Sequence, residues 1–198
     1  MVRGHTNYKG YTAQQHDDFY PVIKKFLEEV RPSRVLEIGT AGGGFILAVR
    51  EILNEIGLSN VPVKTFDVVE SHYYDELRKS NIEINIENIF DHPYLNLIKP
   101  ERIVPYIQEE GTTIVFCDGG HKVGEFNSIA PHIKKGDYIL AHDYIDTWEN
   151  YQENFKDKIW NWCEVEEKYI QDISVKENLE FYNKEDFGKI VWVCKIKK

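Results

Sequence analysis

The side chains best suited to chemistry lie just after β-rich apolar runs: Glu37 to Gly44, Asp67 to Glu70, Asp91, Asp118 to His121, and His142-Asp143. The glycines around Thr40 and Ala41 let backbone approach a ligand, and the helix that follows supplies N–H groups for an anion such as a carboxylate. Asp67 suits a ligand's hydroxyl donors. Asp118 and Asp143 end what read as neighbouring strands, so their oxygens can converge on Mg²⁺ or a similar hard divalent ion. Such an ion would lower the pKa of a hydroxyl bound to it. His121 and His142 flank these acids, and because imidazole is the side chain suited to proton transfer near neutral pH each is a candidate general base, with a turn or supporting role as the alternative. Asp143 joins them as a catalytic candidate.

The elements that must carry these residues alternate. Phe19, Val22, Ile23, Phe26, Leu27 and Val30 fall at helical spacing, with Asp18 as N-cap, Pro21 tolerated in the first turn and a stop at Pro32. The run 34–38 predicts a strand, the glycine loop follows, and Phe45, Ala48, Val49, Ile52, Leu53 and Ile56 predict a second helix. Further strands are expected over 61–69, 82–90, 112–117 and 138–141, separated by helices over 73–79, 100–110 and 123–134. Beyond a Trp-rich segment at 147–162, the runs 164–170 and 189–195 predict an antiparallel hairpin. The pattern predicts an α/β fold: a Rossmann-like, doubly wound, mostly parallel seven-stranded sheet closed by a C-terminal antiparallel hairpin. Residues 18–198 form one domain in this reading, and residues 1–17 a flexible arm. In such sheets ligands sit beyond the carboxyl ends of the strands, where the chemistry-bearing residues fall.

The run Val35-Leu36-Glu37-Ile38-Gly39-Thr40-Ala41-Gly42-Gly43 resembles the glycine-rich signature of class I S-adenosylmethionine-dependent methyltransferases. The later blocks Ile114 to His121 and Lys135 to Asp143 resemble the cephalosporin-hydroxylase-like and small-molecule O-methyltransferase subgroup, and the blocks together span most of the chain. One departure is Gly44-Phe45, where members often carry a small hydroxyl residue. The resemblance implies S-adenosylmethionine as cofactor, bound by Glu37, Gly39, Thr40, Gly42, Gly43, Asp67 and Asp118, with Asp91 near the adenine. As a turn starter before His92-Pro93, Asp91 has an equally good structural reading. The resemblance also implies metal-assisted transfer to a hydroxyl oxygen of a small-molecule acceptor, Asp118 and Asp143 holding the ion. Independently, Gly39-x-x-Gly42 departs from the dinucleotide pattern, and Glu37 repels a pyrophosphate but not a sulfonium or ammonium. The competing readings are a cofactor-binding or assembly protein without turnover and, less well fitted, an NAD-dependent oxidoreductase.

The 198 residues suffice for one substantial core, and 42% hydrophobic with 29% charged residues is the composition of a folded globular chain. A net charge of -9 with scattered Lys and Arg argues against nucleic acid as partner. No apolar stretch reaches membrane-spanning length, and the start lacks a secretory h-region, so a cytoplasmic location is expected. The three cysteines are odd in number and far apart, which disfavours a disulfide framework. The aromatics Trp148, Tyr151, Phe155, Trp160 and Trp162 point weakly to a ring-bearing or apolar substrate wall.

Overall fold

The computed structural model describes residues 7–92 and 97–198. Its centre is a sheet built from β1 (Arg34–Ile38), β2 (Val63–Asp67), β3 (Glu83–Ile86), β4 (Thr113–Cys117), β5 (Tyr138–His142), β6 (Leu179–Phe181) and β7 (Trp192–Lys197). The strand order is β3-β2-β1-β4-β5-β7-β6. Strands β1 to β5 pair in parallel, and β7 runs antiparallel to both β5 and β6. All five residues of β1 and of β4 are buried, which is why Ile114 to Cys117 of β4 reads as an unbroken apolar run, and why Arg34 and Glu37 of β1 are enclosed with Val35, Leu36 and Ile38.

Each face of the sheet carries its own core. Val35, Ile114, Phe116 and Leu140 pack on one side with α1 (Phe19–Val30) and α2 (Gly44–Glu55). Leu36, Val115, Ile139 and Ala141 pack on the other with α4 (Pro100–Gln108), α5 (Lys122–Ile129) and α6 (Glu167–Lys176). Neighbouring strand residues thus point to opposite cores, as the two-residue period demands. The remaining helices are α3 (Tyr74–Lys79) and α7 (Lys184–Lys189). Among the described residues, no helix is long and apolar enough to cross a membrane.

The C-terminal hairpin exists, but its first strand is not the run expected at 164–170. Only Val165–Glu166 is extended there, and it pairs in parallel with Tyr144–Ile145. Glu167–Lys176 is helical because Ile170, Ile173 and Ser174 lie at helical spacing and turn one face inward. The partner of β7 is the short edge strand β6, with Leu179 buried and the next two residues exposed. Likewise the run 82–90 divides: β3 ends at Ile86, and Phe90–His92 pairs instead with Leu97–Ile98.

The stretch expected as an arm is packed on the domain from Asn7 onward. Asn7–Tyr8 and Tyr11–Thr12 form a hairpin whose turn residues, Lys9 and Gly10, both have positive φ, the geometry of a two-residue type I′ loop. Tyr8 stacks on Tyr20 and donates to Glu51 of α2 at 2.5 Å, and Ala13, Gln15 and His16 are buried beyond the hairpin.

Candidate active site

The direction of strand order reverses between β1 and β4, and their carboxyl ends are level: Ile38 pairs with Phe66 and Cys117, and Cys117 with Ala141. Gly39, Asp118 and His142 therefore emerge side by side, with Asp67 at the end of β2. They border a cavity of about 840 Å³, within the usual range for cofactor and small-molecule sites.

At one end of the cavity stands the glycine loop. Gly39, Thr40 and Ala41 line it, whereas Gly42 and Gly43 do not. Gly39 has φ +94°, and a Cβ there would lie 2.4 Å from the Asp118 carbonyl oxygen, so the close approach of β4 excludes a side chain. A Cβ on Gly42 would sit 2.7 Å from Thr12: this glycine makes room for the N-terminal segment rather than for a ligand. Asp67 Oδ2 accepts from the Ala41 amide at 2.7 Å and Oδ1 from Val69 at 3.0 Å, while the Tyr74 hydroxyl donates to the Ala41 carbonyl at 3.1 Å. Glu37 is buried, its Oε2 accepting from Thr65 Oγ1 at 2.5 Å, and Thr65 meets Thr40 Oγ1 at 2.6 Å. Burial, reinforced by the nearby Asp118 and Asp67, pushes the Glu37 carboxyl well above the ordinary carboxylate range. The backbone of Asp91 lies in the short strand after the loop, and its side chain falls outside the described residues. Glu87, Asn88, Ile89 and Phe90 line the cavity just before it.

At the other end Asp118 and His142 form a dyad, Nδ1 to Oδ1 at 2.9 Å. Gln15 Nε2 donates to Asp118 Oδ2 at 2.7 Å, and Trp192 Nε1 donates to Gln15 Oε1 at 2.8 Å. The His142 ring stacks on Trp192 with centroids 4.8 Å apart, and its Nε2 is buried without a hydrogen-bond partner among the described residues. Burial opposes charge on this imidazole, but the Asp118 and Asp143 carboxylates outweigh it and raise its pKa above the ordinary value. His121 is exposed at the cavity rim and caps α5, its Nδ1 accepting from Gly124 N at 3.4 Å. Glu125, one turn on, is buried beneath the loop and accepts from the amides of Gly119 and His121. Burial pushes its carboxyl up to about 7.

Asp143 sits in the left-handed region at φ +57°. Its Oδ1 accepts from Trp160 Nε1 at 2.7 Å, and its Oδ2 lies 3.1 Å from Lys122 Nζ. The same ammonium lies 3.1 Å from Glu164 Oε2 and donates to the Gly119 carbonyl at 2.9 Å. The pair expected to hold a divalent ion, Asp118 and Asp143, does not fit one as it stands, because a lysine already occupies the acidic pocket beside them. Among the described residues, no group of three or more His, Cys, Asp or Glu side chains is arranged to hold a metal. Sequence reasoning passed over Gln15, Lys122, Glu125 and Glu164. Of these only Lys122, adjoining the Asp118-to-His121 block, stood near a signal.

The strand order, with its cleft over β1 and β4, defines the Rossmann-like fold of the S-adenosylmethionine-dependent methyltransferases. The family model described as Rhamnosyl O-methyltransferase/CmcI matches residues 3–192, and the chain belongs to that family of S-adenosylmethionine-dependent O-methyltransferases. Among solved structures it is similar to CmcI with Mg-SAM, with TM-score 0.62 and 15% identity over 98% of this chain and 77% of that one. An apo-structure of CmcI gives 0.61 and 14% over 98% and 76%. An O-methyltransferase family protein from Burkholderia thailandensis gives 0.55 and 11% over 90% and 55%. At such identities the likeness shows the shared fold. No curated protein matches the sequence. Nothing in the site or the comparisons favours the nicotinamide or turnover-free alternatives.

Proposed function

We propose that this chain methylates a hydroxyl of a small-molecule acceptor, with His142 as the base. The observation that carries this reading is the buried dyad: Asp118 holds Nδ1, which leaves Nε2 without a partner at the cavity. Bound S-adenosylmethionine supplies an electrophilic methyl group on sulfur. His142 Nε2 would take the proton that the acceptor hydroxyl gives up on accepting that methyl group. A base so placed, with the acceptor held against the methyl group, needs little more than correct positioning.

The residues at the other end fit the cofactor. Asp67 offers a carboxylate at the end of β2 for the ribose hydroxyls. Glu37 is a buried carboxyl whose ionised form a nearby ammonium or sulfonium would favour. Thr40 tethers the loop to β2 through Thr65. Asp91, together with the segment from Glu87 to Phe90, would flank the adenine. Asp143 acts as a support for the acceptor wall through Trp160, and His121 as a rim residue. The acceptor side is walled by Trp160, Asn161 and Trp162, which suits a ring-bearing molecule.

Calorimetric titration with S-adenosylmethionine and its demethylated product tests the cofactor half. Wild type should bind both, and Asp67→Ala should weaken binding by roughly ten- to a hundred-fold, the worth of a hydrogen bond to a charged group. Absence of binding by wild type would overturn the reading. A panel of hydroxylated compounds, scored by transfer of labelled methyl, then identifies the acceptor.

A further inference from the structure

The acidic pocket at the ends of β4 and β5 is made of Asp118, Asp143 and Glu164, and every one of their six carboxylate oxygens has an N–H donor. Asp118 takes His142 Nδ1 and Gln15 Nε2. Asp143 takes Trp160 Nε1 at 2.7 Å and Lys122 Nζ at 3.1 Å. Glu164 takes the Lys122 backbone amide at 2.7 Å and Lys122 Nζ at 3.1 Å. The ammonium is equally committed. It carries three protons and meets three acceptors: Gly119 O, Glu164 Oε2 and Asp143 Oδ2, with Asp118 Oδ1 a further 4.0 Å contact.

Lys122 is 7% exposed, and burial, which disfavours its charge, is outweighed by Asp118, Asp143 and Glu164. A hard divalent ion needs about six oxygen ligands and would have to take them from these donors while standing a few ångströms from a fixed positive charge. Removing the ammonium instead would take the lysine counter-ion from the buried Asp143 and the half-buried Glu164. Lys122 opens α5, and its backbone N–H is itself bound to Glu164, so the side chain is anchored at both ends.

We infer that Lys122 is the resident cation of this site and that methyl transfer here requires no divalent ion; the second half rests on the methyltransferase reading above. Lys122 has no donor left for the acceptor. It acts as a positioning residue: it ties the end of β4 and the start of α5 to Asp143 and to Glu164, and so fixes the wall formed by Trp160 and Trp162. Charge that a metal would neutralise is neutralised internally, and the proton of the acceptor goes to His142.

The test is titration of the full chain with Mn²⁺, followed by paramagnetic resonance of the free ion and by thermal melting. Wild type should show no saturable binding and no rise in Tm with Mn²⁺, and its affinity for S-adenosylmethionine should be unchanged by a chelator. Lys122→Ala should gain both Mn²⁺ binding and a Mn²⁺-dependent rise in Tm, and Lys122→Ala/Asp143→Asn should lose that gain. Saturable Mn²⁺ binding by wild type that Asp143→Asn abolishes would overturn the inference, as would chelator-sensitive binding of the cofactor. Should Lys122→Ala fail to fold, the wild-type titration decides the matter, and Lys122→Arg, which keeps the charge, should behave as wild type. Failure of the cofactor to bind with or without Mn²⁺ strikes at the methyltransferase reading and is read separately from the Mn²⁺ titration.

Discussion

His142 and Glu125 show how burial sets the work of single residues here. Each is a buried titratable group that lines the cavity, but their partners differ: His142 faces a carboxylate, whereas Glu125 faces two backbone amides. Replacing His142 with Gln keeps a polar group of similar reach and removes the base. It should lower kcat by about 10²–10⁴ while leaving the Kd for S-adenosylmethionine unchanged, the usual contribution of a positioned base. An equal loss of cofactor affinity would assign the ring a binding role instead. For Glu125, burial raises the carboxyl from 4.5 to about 7, with the amides of Gly119 and His121 and the charge of Lys122 opposing and Glu164 reinforcing it. Below pH 4.5 the folded and unfolded states both hold the proton. Between there and about 7 only the folded state does, so stability is lost as pH rises through that window, to a total of roughly 3 kcal/mol. Glu125→Gln should flatten that part of the curve, measurable as Tm against pH; parallel curves for the two proteins would refute the assignment.

Among the elements, the N-terminal segment departs furthest from what its composition suggests. It carries Gln15 into the site, where one amide bridges Trp192 on β7 and Asp118 beyond β4, over a sequence separation of 103 residues to the latter. Gly42 and Gly44 are glycine because this segment crosses them: a Cβ on Gly44 would lie 2.6 Å from the Tyr11 carbonyl oxygen. Gln15→Ala would leave a buried indole N–H and a carboxylate oxygen short of a partner, a cost of about 1–3 kcal/mol. Denaturant unfolding should show that loss, and limited proteolysis should cut sooner within residues 7–16; unchanged stability would mean the segment is not joined to the core. The helix α6 teaches the complementary lesson. Its extended-looking first residues, Val165 and Glu166, pair with Tyr144–Ile145, and the phase of Ile170 and Ile173 then decides for helix.

Over the whole molecule, two cores on either side of one sheet hold the ends of β1, β2, β4 and β5 level, and that alignment makes the cavity. The net charge of -9 is partly concentrated there, yet Asp118, Asp143 and Glu164 are compensated within the protein by Lys122 and by neutral donors. Much of this was legible in the sequence. Strands buried on both faces are mostly apolar, helices facing a sheet must repeat at helical spacing, and close backbone approaches require glycine, so β1, β4, α1, α2 and the loop at Gly39 announced themselves. That Asp67, Asp118 and His142 stand at strand ends was legible too, because strand ends are local features. The edge strand β6, with one buried apolar residue, gave no pattern to read. The partners that decide the chemistry lay beyond any local signal as well. Gln15 reaches Asp118, Glu164 reaches Lys122, and Trp160 reaches Asp143 only after the sheet order has brought distant segments together. Sequence alone thus determined which residue types stand at the strand ends, since period and turn chemistry act over a few residues. Only the tertiary structure decided that an internal ammonium sits among the carboxylates, since charge pairing depends on proximity in space.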